Sequence, residues 1–200
     1  MPPFTVLILA AGFGNRFGGC LPKQYERLNG KAVLRHAIEA YLSHPAISEL
    51  YVAIQQDHQT LYQDAVHDLN LPPPITGGCS RKESCYKALK YINQVNHQKL
   101  ILVHDAARPF LCHKDIDNLL TALQTYPSVT LGKPVPETLR RVSESQTLTD
   151  SIDRTGVWSL QTPQGFHFKT LLSAHETHRD NDTFTDDCGV MEADGHTTYI

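Results

Sequence analysis

The alternation of apolar runs and amphipathic stretches in this chain predicts an α/β domain, a mostly parallel sheet with helices on both faces. Three observations carry this. Continuous apolar runs at Thr5–Ala11, Leu50–Ile54 and Leu100–Val103 read as strands buried on both sides. Stretches of helical periodicity separate them, and right-handed crossovers turn such a β-α-β-α rhythm into parallel sheet covered by helices. Glycine-bearing turns follow the first run and a short strand around Ile75, at the edge where open α/β sheets bind ligands.

The opening strand breaks into Gly12, Gly14, Gly18 and Gly19, where the missing side chains let a backbone approach a ligand closely. Arg16 lies inside this loop and Lys23 follows Pro22. Bare amides and fixed cations at the end of a parallel strand suit a polyphosphate. The loop is neither common phosphate loop. A dinucleotide fingerprint starting at Gly12 meets Phe17 where glycine is required, and a P-loop starting at Gly14 meets Cys20 where lysine is required.

Val33, Leu34, Ala37, Ile38, Tyr41 and Leu42 then recur at helical spacing, ended by His44-Pro45. After the second strand, Leu61, Ala65, Val66 and Leu69 mark another helix, stopped at Leu71-Pro-Pro-Pro74. A short strand around Ile75 leads into Gly77-Gly-Cys-Ser-Arg-Lys-Glu-Ser84. Ser80 and Glu83 have capping-box spacing, so a helix starts here with Ala88, Leu89 and Ile92 inward. A capped helix accounts for most of this turn; the concentration of Arg81, Lys82 and Ser84 leaves a ligand contact open.

The third strand runs straight into Asp105. A carboxylate at the end of a buried strand needs a partner, either a divalent cation or Arg108 across a turn. His104 reads as a packed core histidine. A helix with Ile116, Leu119, Leu120 and Leu123 inward leads to the strand Ser128–Leu131. From about residue 138 to 159 the apolar residues are spaced by polar ones around the turn Ser143-Glu-Ser-Gln146, which reads as a hairpin arm projecting from the body. Such an arm cannot bury itself, so a second copy of the chain is expected to cover it. Thr162-Pro-Gln-Gly165 returns to the body, and a helix follows from Phe168 to His175. His175 and His178 lack metalloprotease spacing and read as a solvated pair. Thr183–Asp187 looks like a capped helix start.

Composition narrows the function. The chain has 200 residues, 40% of them hydrophobic, enough for one domain with a real core. A net charge of -3 disfavours nucleic-acid binding by bulk electrostatics, so any phosphate ligand must be held by a local cluster of cations. Five cysteines without C-x-x-C spacing suggest reduced thiols and a cytoplasmic protein. No apolar run approaches a membrane span.

Taken together, Ala10-Ala-Gly-Phe-Gly-Asn-Arg16, Pro22-Lys-Gln24, Gly77-Gly78 with Arg81 and Ser84, and His104-Asp-Ala-Ala-Arg-Pro109 resemble the 2-C-methyl-D-erythritol 4-phosphate cytidylyltransferase family of the non-mevalonate isoprenoid pathway. Pro134 to Arg141, Ile152-Asp-Arg154, Thr162-Pro-Gln164 and Thr185-Asp-Asp187 carry the resemblance onward in family order. It implies a Rossmann-like domain that transfers CMP from CTP to the methylerythritol phosphate and releases pyrophosphate. CTP would contact Ala10, Ala11, Gly12, Gly14, Arg16, Lys23, Gly78, Arg81 and Ser84. The sugar-alcohol phosphate would contact Asp105, Arg108, Thr138, Arg154, Thr162 and Thr185. Arg16, Lys23 and Arg154 would be catalytic, Asp105 would help hold Mg²⁺, and the arm would reach across a homodimer. Cys79 stands where many relatives carry an acid. The family's next strand, its Asn-Ile-Lys turn and its terminal helix do not appear in these 200 residues; the resemblance puts that lysine in the substrate site, which leaves a fragment or an impaired enzyme as the two expectations.

A ribitol 5-phosphate cytidylyltransferase shares the loop, although Ala106-Ala107 and Pro134–Thr138 are closer to the methylerythritol enzyme. An NAD-dependent dehydrogenase is disfavoured by Phe17 and by Gln55-Gln56 where a ribose-binding acid belongs. A nucleotide-binding module without catalysis is the remaining alternative.

Overall fold

The computed structural model describes residues 1–12, 21–95 and 99–200, so Gly14 and Arg16 lie outside the described residues. At its centre is β1 (Phe4–Ala10), buried at every position. A small hairpin, β2 (Arg27–Leu28) and β3 (Lys31–Ala32), leads into α1 (Val33–Leu42). There follow β4 (Ile47–Ile54), α2 (Gln59–Val66), β5 (Ile75–Thr76), α3 (Arg81–Val95), β6 (Leu100–Asp105), α4 (His113–Ala122) and β7 (Ser128–Pro134). The chain then forms β8 (Leu139–Val142), β9 (Leu148–Ile152), β10 (Trp158–His167), α5 (Phe168–Thr177) and α6 (Asp187–Ala193).

The main sheet runs β5-β4-β1-β6-β10-β7. The four strands β5, β4, β1 and β6 are parallel, and β10 is antiparallel to both β6 and β7. Side chains alternate across a strand, so Val6, Ile8 and Ala10 enter the layer that holds α1, α2 and α4. Leu7 and Leu9 enter the layer that holds α3, α5 and α6. Full burial of each Val, Ile or Leu side chain among them contributes roughly 1.5–3 kcal/mol before the entropic cost of ordering it. Two apolar layers on one strand explain why β1 carries an unbroken apolar run.

Three expectations need correction or sharpening. The return through Thr162–Gly165 is part of a ten-residue antiparallel strand inserted between β6 and β7. His175 is not solvated: it is fully buried and bonds Asp187 at 2.9 Å, while His178 is half-buried. Leu42 lies at the exposed end of α1, whereas Leu34, Ala37, Ile38 and Tyr41 face the core as the spacing predicts. The arm is present as the two-stranded sheet β8–β9, with Val142 opposite Leu148 and those side chains 58% and 66% exposed.

Candidate nucleotide site

The carboxyl ends of β1, β4, β5 and β6 share one edge, and polar bonds join them there. The peptide N–H of Gly77 donates to Ile54 O at 2.8 Å, and that of Ala106 donates to Leu9 O at 3.1 Å. Gly77 must be glycine: a Cβ would sit 2.6 Å from Ala11 Cβ and 2.9 Å from Ser84 Oγ. The first and second turns are therefore in direct contact, as a cradle spanning both requires.

Two glutamines, neither assigned a role by the sequence reading, hold this cradle. Gln24, in the single turn Lys23–Tyr25, is buried and its Nε2 donates to Ala10 O at 2.7 Å and Gly12 O at 2.8 Å. This pins exposed Lys23 near the carboxyl end of β1. Gln55 Nε2 donates to Ala11 O at 2.8 Å and Gly78 O at 2.9 Å, tying the first loop to the second turn. An amide has two donors on one nitrogen, which is what a bridge between two carbonyls needs. Position 55 is where a dinucleotide-binding fold would place its acid; here the side chain supports the backbone instead.

The second turn is also held from within α3. Ser84 Oγ accepts the Gly78 N–H at 2.9 Å and donates to Ser80 O at 2.8 Å, so this hydroxyl fixes the turn. Ser80 caps the Glu83 N–H at 3.0 Å as predicted, whereas the Glu83 carboxylate accepts from Cys79 N at 2.6 Å.

Asp105 has partners on both oxygens. Arg81 Nε reaches Oδ1 at 3.2 Å and Arg108 Nε reaches Oδ2 at 3.4 Å. Pairing with Arg108 was foreseen; Arg81, from another element, was not. Arg108 Nη1 also donates to Gln161 Oε1 at 2.9 Å. The Asp105 N–H donates to Thr162 Oγ1 at 3.1 Å, bringing the predicted Thr162 to the same cluster. The structure thus joins Ala10, Ala11, Gly12, Lys23, Gly78, Arg81, Ser84, Asp105, Arg108 and Thr162 along one edge. Thr138 and Arg154 are exposed on the arm, where Arg154 Nη1 bonds Pro136 O, and no hydrogen bond joins either to Asp105 among the described residues. Thr185 is exposed just before α6.

His104 is packed, as its position suggests: it is 1% exposed and edge-on to Tyr41, ring centroids 5.4 Å apart. Burial pushes its imidazole down to about 4, so it is neutral. Thr162 Oγ1 lies 3.2 Å from Nδ1, and Arg108 O lies 3.0 Å from Nε2. Since Arg108 O can only accept, Nε2 carries the proton and the Thr162 hydroxyl donates to Nδ1. With both nitrogens engaged, His104 supports the Asp105–Arg108 turn and is not a free base.

Asp105 offers Mg²⁺ a single carboxylate, for whose two oxygens Arg81 and Arg108 compete. That ion is commonly held by one or two carboxylates together with substrate phosphates, and the Asp105 side chain is 32% exposed with both arginine bonds long. Cavities of about 480 Å³ beside Lys82 and Arg179, and about 250 Å³ beside Tyr25 and Arg35, lie elsewhere and do not include Asp105.

The family model described as IspD: 2-C-methyl-D-erythritol 4-phosphate cytidylyltransferase matches residues 4–200. A bifunctional enzyme IspD/IspF of Paramagnetospirillum magneticum is 39% identical over 195 residues, covering 98% of this chain and 50% of that protein. The 2-C-methyl-D-erythritol 4-phosphate cytidylyltransferase of Aliivibrio fischeri is 34% identical over 194 residues, covering 96% of this chain and 82% of that protein. The solved 2-C-methyl-D-erythritol 4-phosphate cytidylyltransferase of Francisella tularensis superposes with a TM-score of 0.82 at 26% identity, covering 98% of this chain and 88% of that one. The chain spans about half the length of the bifunctional relatives it matches. With its parallel strand ends, its paired glycine turns and a family match over nearly its whole length, the chain belongs to the 2-C-methyl-D-erythritol 4-phosphate cytidylyltransferase family.

Proposed function

We propose that the chain transfers CMP from CTP to 2-C-methyl-D-erythritol 4-phosphate, giving 4-diphosphocytidyl-2-C-methyl-D-erythritol and pyrophosphate. The observation that carries this is the continuous polar seam from Lys23 to Asp105. Gln24, next to Lys23, holds Gly12, Gln55 ties Ala11 to Gly78, and Arg81 ties the second turn to Asp105. A nucleoside triphosphate laid along this seam would meet backbone amides, Lys23 and Arg81 at one end and Asp105 with Arg108 at the other.

The acceptor brings its own nucleophile. A phosphate monoester has a second pKa near ~6 and is largely a dianion at neutral pH. Its oxygen attacks the α-phosphorus of CTP, a new P–O–P bridge forms, the bond to the β-phosphate breaks, and pyrophosphate leaves with those electrons. No general base is required, in keeping with a His104 whose ring nitrogens are both occupied. The protein's task is alignment and charge neutralisation. Lys23 and, from outside the described residues, Arg16 would stabilise charge on the phosphates; Arg108 and Thr162 would orient the acceptor. Mg²⁺ held by Asp105 would supply further neutralisation of the triphosphate.

Thr138 and Arg154 would complete the acceptor site from the arm. The exposed Val142–Leu148 pair and Trp158, 45% exposed, suit burial against a second copy, which supports a homodimer in which the arm crosses to its partner. The test is CTP- and Mg²⁺-dependent pyrophosphate release. Release with methylerythritol phosphate supports the proposal; release only with ribitol 5-phosphate reassigns the acceptor; CTP binding without release leaves a binding module.

A further inference from the structure

Arg81 is assigned to CTP in the reading above, and besides Asp105 its guanidinium is held by a residue outside the contacts assigned there. Asp187, the first residue of α6, is fully buried and lies 106 positions away in the chain. Its Oδ2 accepts Arg81 Nη1 at 2.7 Å and its Oδ1 accepts His175 Nε2 of α5 at 2.9 Å. The buried Cys85 thiol of α3 lies within 4.8 Å of the carboxylate and of His175. Gln164 Oε1 of β10 accepts the Asp187 N–H at 3.2 Å and fixes the backbone. Burial works against the ionised carboxyl, but Arg81 and His175 outweigh it and hold Asp187 well below the usual carboxylate range. A buried anion so placed is strongly stabilised by its cation partner and costly without it. It therefore fixes where Arg81 lies. Arg81 spends Nε on Asp105, and its Nη2 has no hydrogen-bond partner among the described residues.

We propose that Asp187, seated on His175 and Cys85, is a positioning residue that orients Arg81 for the nucleotide and so makes the α5–α6 layer part of the CTP site. A metal reading of the cluster is weaker. The Cys85, His175 and Asp187 ligand atoms lie within 4.8 Å of one another, but structural Zn²⁺ takes four ligands and Arg81 already occupies the carboxylate.

The inference rests on the assignment of Arg81 to CTP, and it is tested by CTP titration calorimetry alongside steady-state kinetics. The proteins compared are the unsubstituted chain, Asp187→Asn, Arg81→Lys, the double variant and His175→Phe. Asp187→Asn is expected to raise the CTP Kd and KM about tenfold with a smaller change in kcat, and to add little in the Arg81→Lys background, the mark of residues that act as one unit. If Asp187→Asn fails to fold by circular dichroism, His175→Phe carries the test, with a CTP Kd raised about threefold, a small coupling expected when one carboxylate donor is removed. An unchanged CTP Kd in a folded variant, or fully additive effects, overturns the inference and leaves the proposed reaction standing. CTP binding by the unsubstituted chain without turnover overturns the reaction instead, and the inference is then read from Kd alone. Absence of CTP binding overturns both. Thermal stabilisation by Zn²⁺ that Cys85→Ser abolishes would make the cluster a metal site and overturn the positioning role.

Discussion

Replacing Gln55 by glutamate removes the amide that bridges the two turns while keeping the side chain's size. In the protein, Nε2 donates to Ala11 O at 2.8 Å and Gly78 O at 2.9 Å. A carboxylate has no donor, so both carbonyls lose their partner and face a like partial charge. Each lost bond at this half-buried position costs about 1 kcal/mol, the low end for an orphaned acceptor, because water can replace part of it. The sum is about 2 kcal/mol, and at 2–4 °C per kcal/mol for a domain of this size the melting temperature falls by about 4–8 °C. Bound CTP needs both turns in register, so about 1.4 kcal/mol of that loss should appear in binding, a tenfold weaker Kd. Differential scanning fluorimetry and CTP titration read both quantities. Gln55→Met, which removes the donors without adding charge, should fall between the two. A Gln55→Glu protein with unchanged melting and CTP affinity would refute the bridging role.

Lys23→Ala should lower turnover at least ~100-fold with the fold intact, the scale of losing one preorganised charge contact; near-normal steady-state turnover would remove Lys23 from the transition state. Gly77→Ala forces a Cβ to within 2.6 Å of Ala11 Cβ, and urea unfolding should show a loss of about 1–3 kcal/mol, the usual cost of overpacking. Acid should destabilise the protein through His104, whose imidazole sits at about 4 in the folded chain against an ordinary value of 6.5. The unfolded chain takes up a proton in that window which the folded chain refuses. Stability is therefore full above the upper value and lost as pH falls toward the lower one, by on the order of 3 kcal/mol. His58, also lowered by burial, adds in the same direction; His104→Asn should flatten the pH dependence of urea unfolding. Val142→Asp combined with Leu148→Asp should convert a homodimer into monomers by sedimentation velocity, and an unchanged dimer would locate the interface away from the arm.

Much of this fold is legible locally. The run Thr5–Ala11 announces β1 because both its faces are buried, and Leu34, Ala37, Ile38 and Tyr41 announce α1 because only one face is. Ser80 and Glu83 announce the start of α3, where Ser80 caps the Glu83 N–H and the Glu83 carboxylate takes the Cys79 N–H. β10 is harder to read. It begins with exposed Trp158 and contains Pro163, which has no N–H to give a sheet ladder, so half of it lacks the pattern of a central strand. The site divides in the same way. Lys23, Gly77, Asp105 and Arg108 stand at turns whose position follows from the strands. The residues that hold them do not: Gln24, Gln55 and Asp187 act on groups 12 to 106 residues away. A polar side chain whose partner is that distant carries no local periodicity to betray it. Asp105 illustrates the cost, since a metal and Arg108 were both foreseeable partners while Arg81 was not.

The central claim, that an acceptor phosphate oxygen attacks the innermost phosphorus of CTP along this seam, can be read from oxygen itself. Methylerythritol phosphate labelled with ¹⁸O in its non-bridging phosphate oxygens should give a product in which ³¹P NMR finds the label on the acceptor phosphorus and in the new bridge to the CMP phosphorus. The released pyrophosphate should carry none. Label in the pyrophosphate, or its absence from the bridge, would contradict the account.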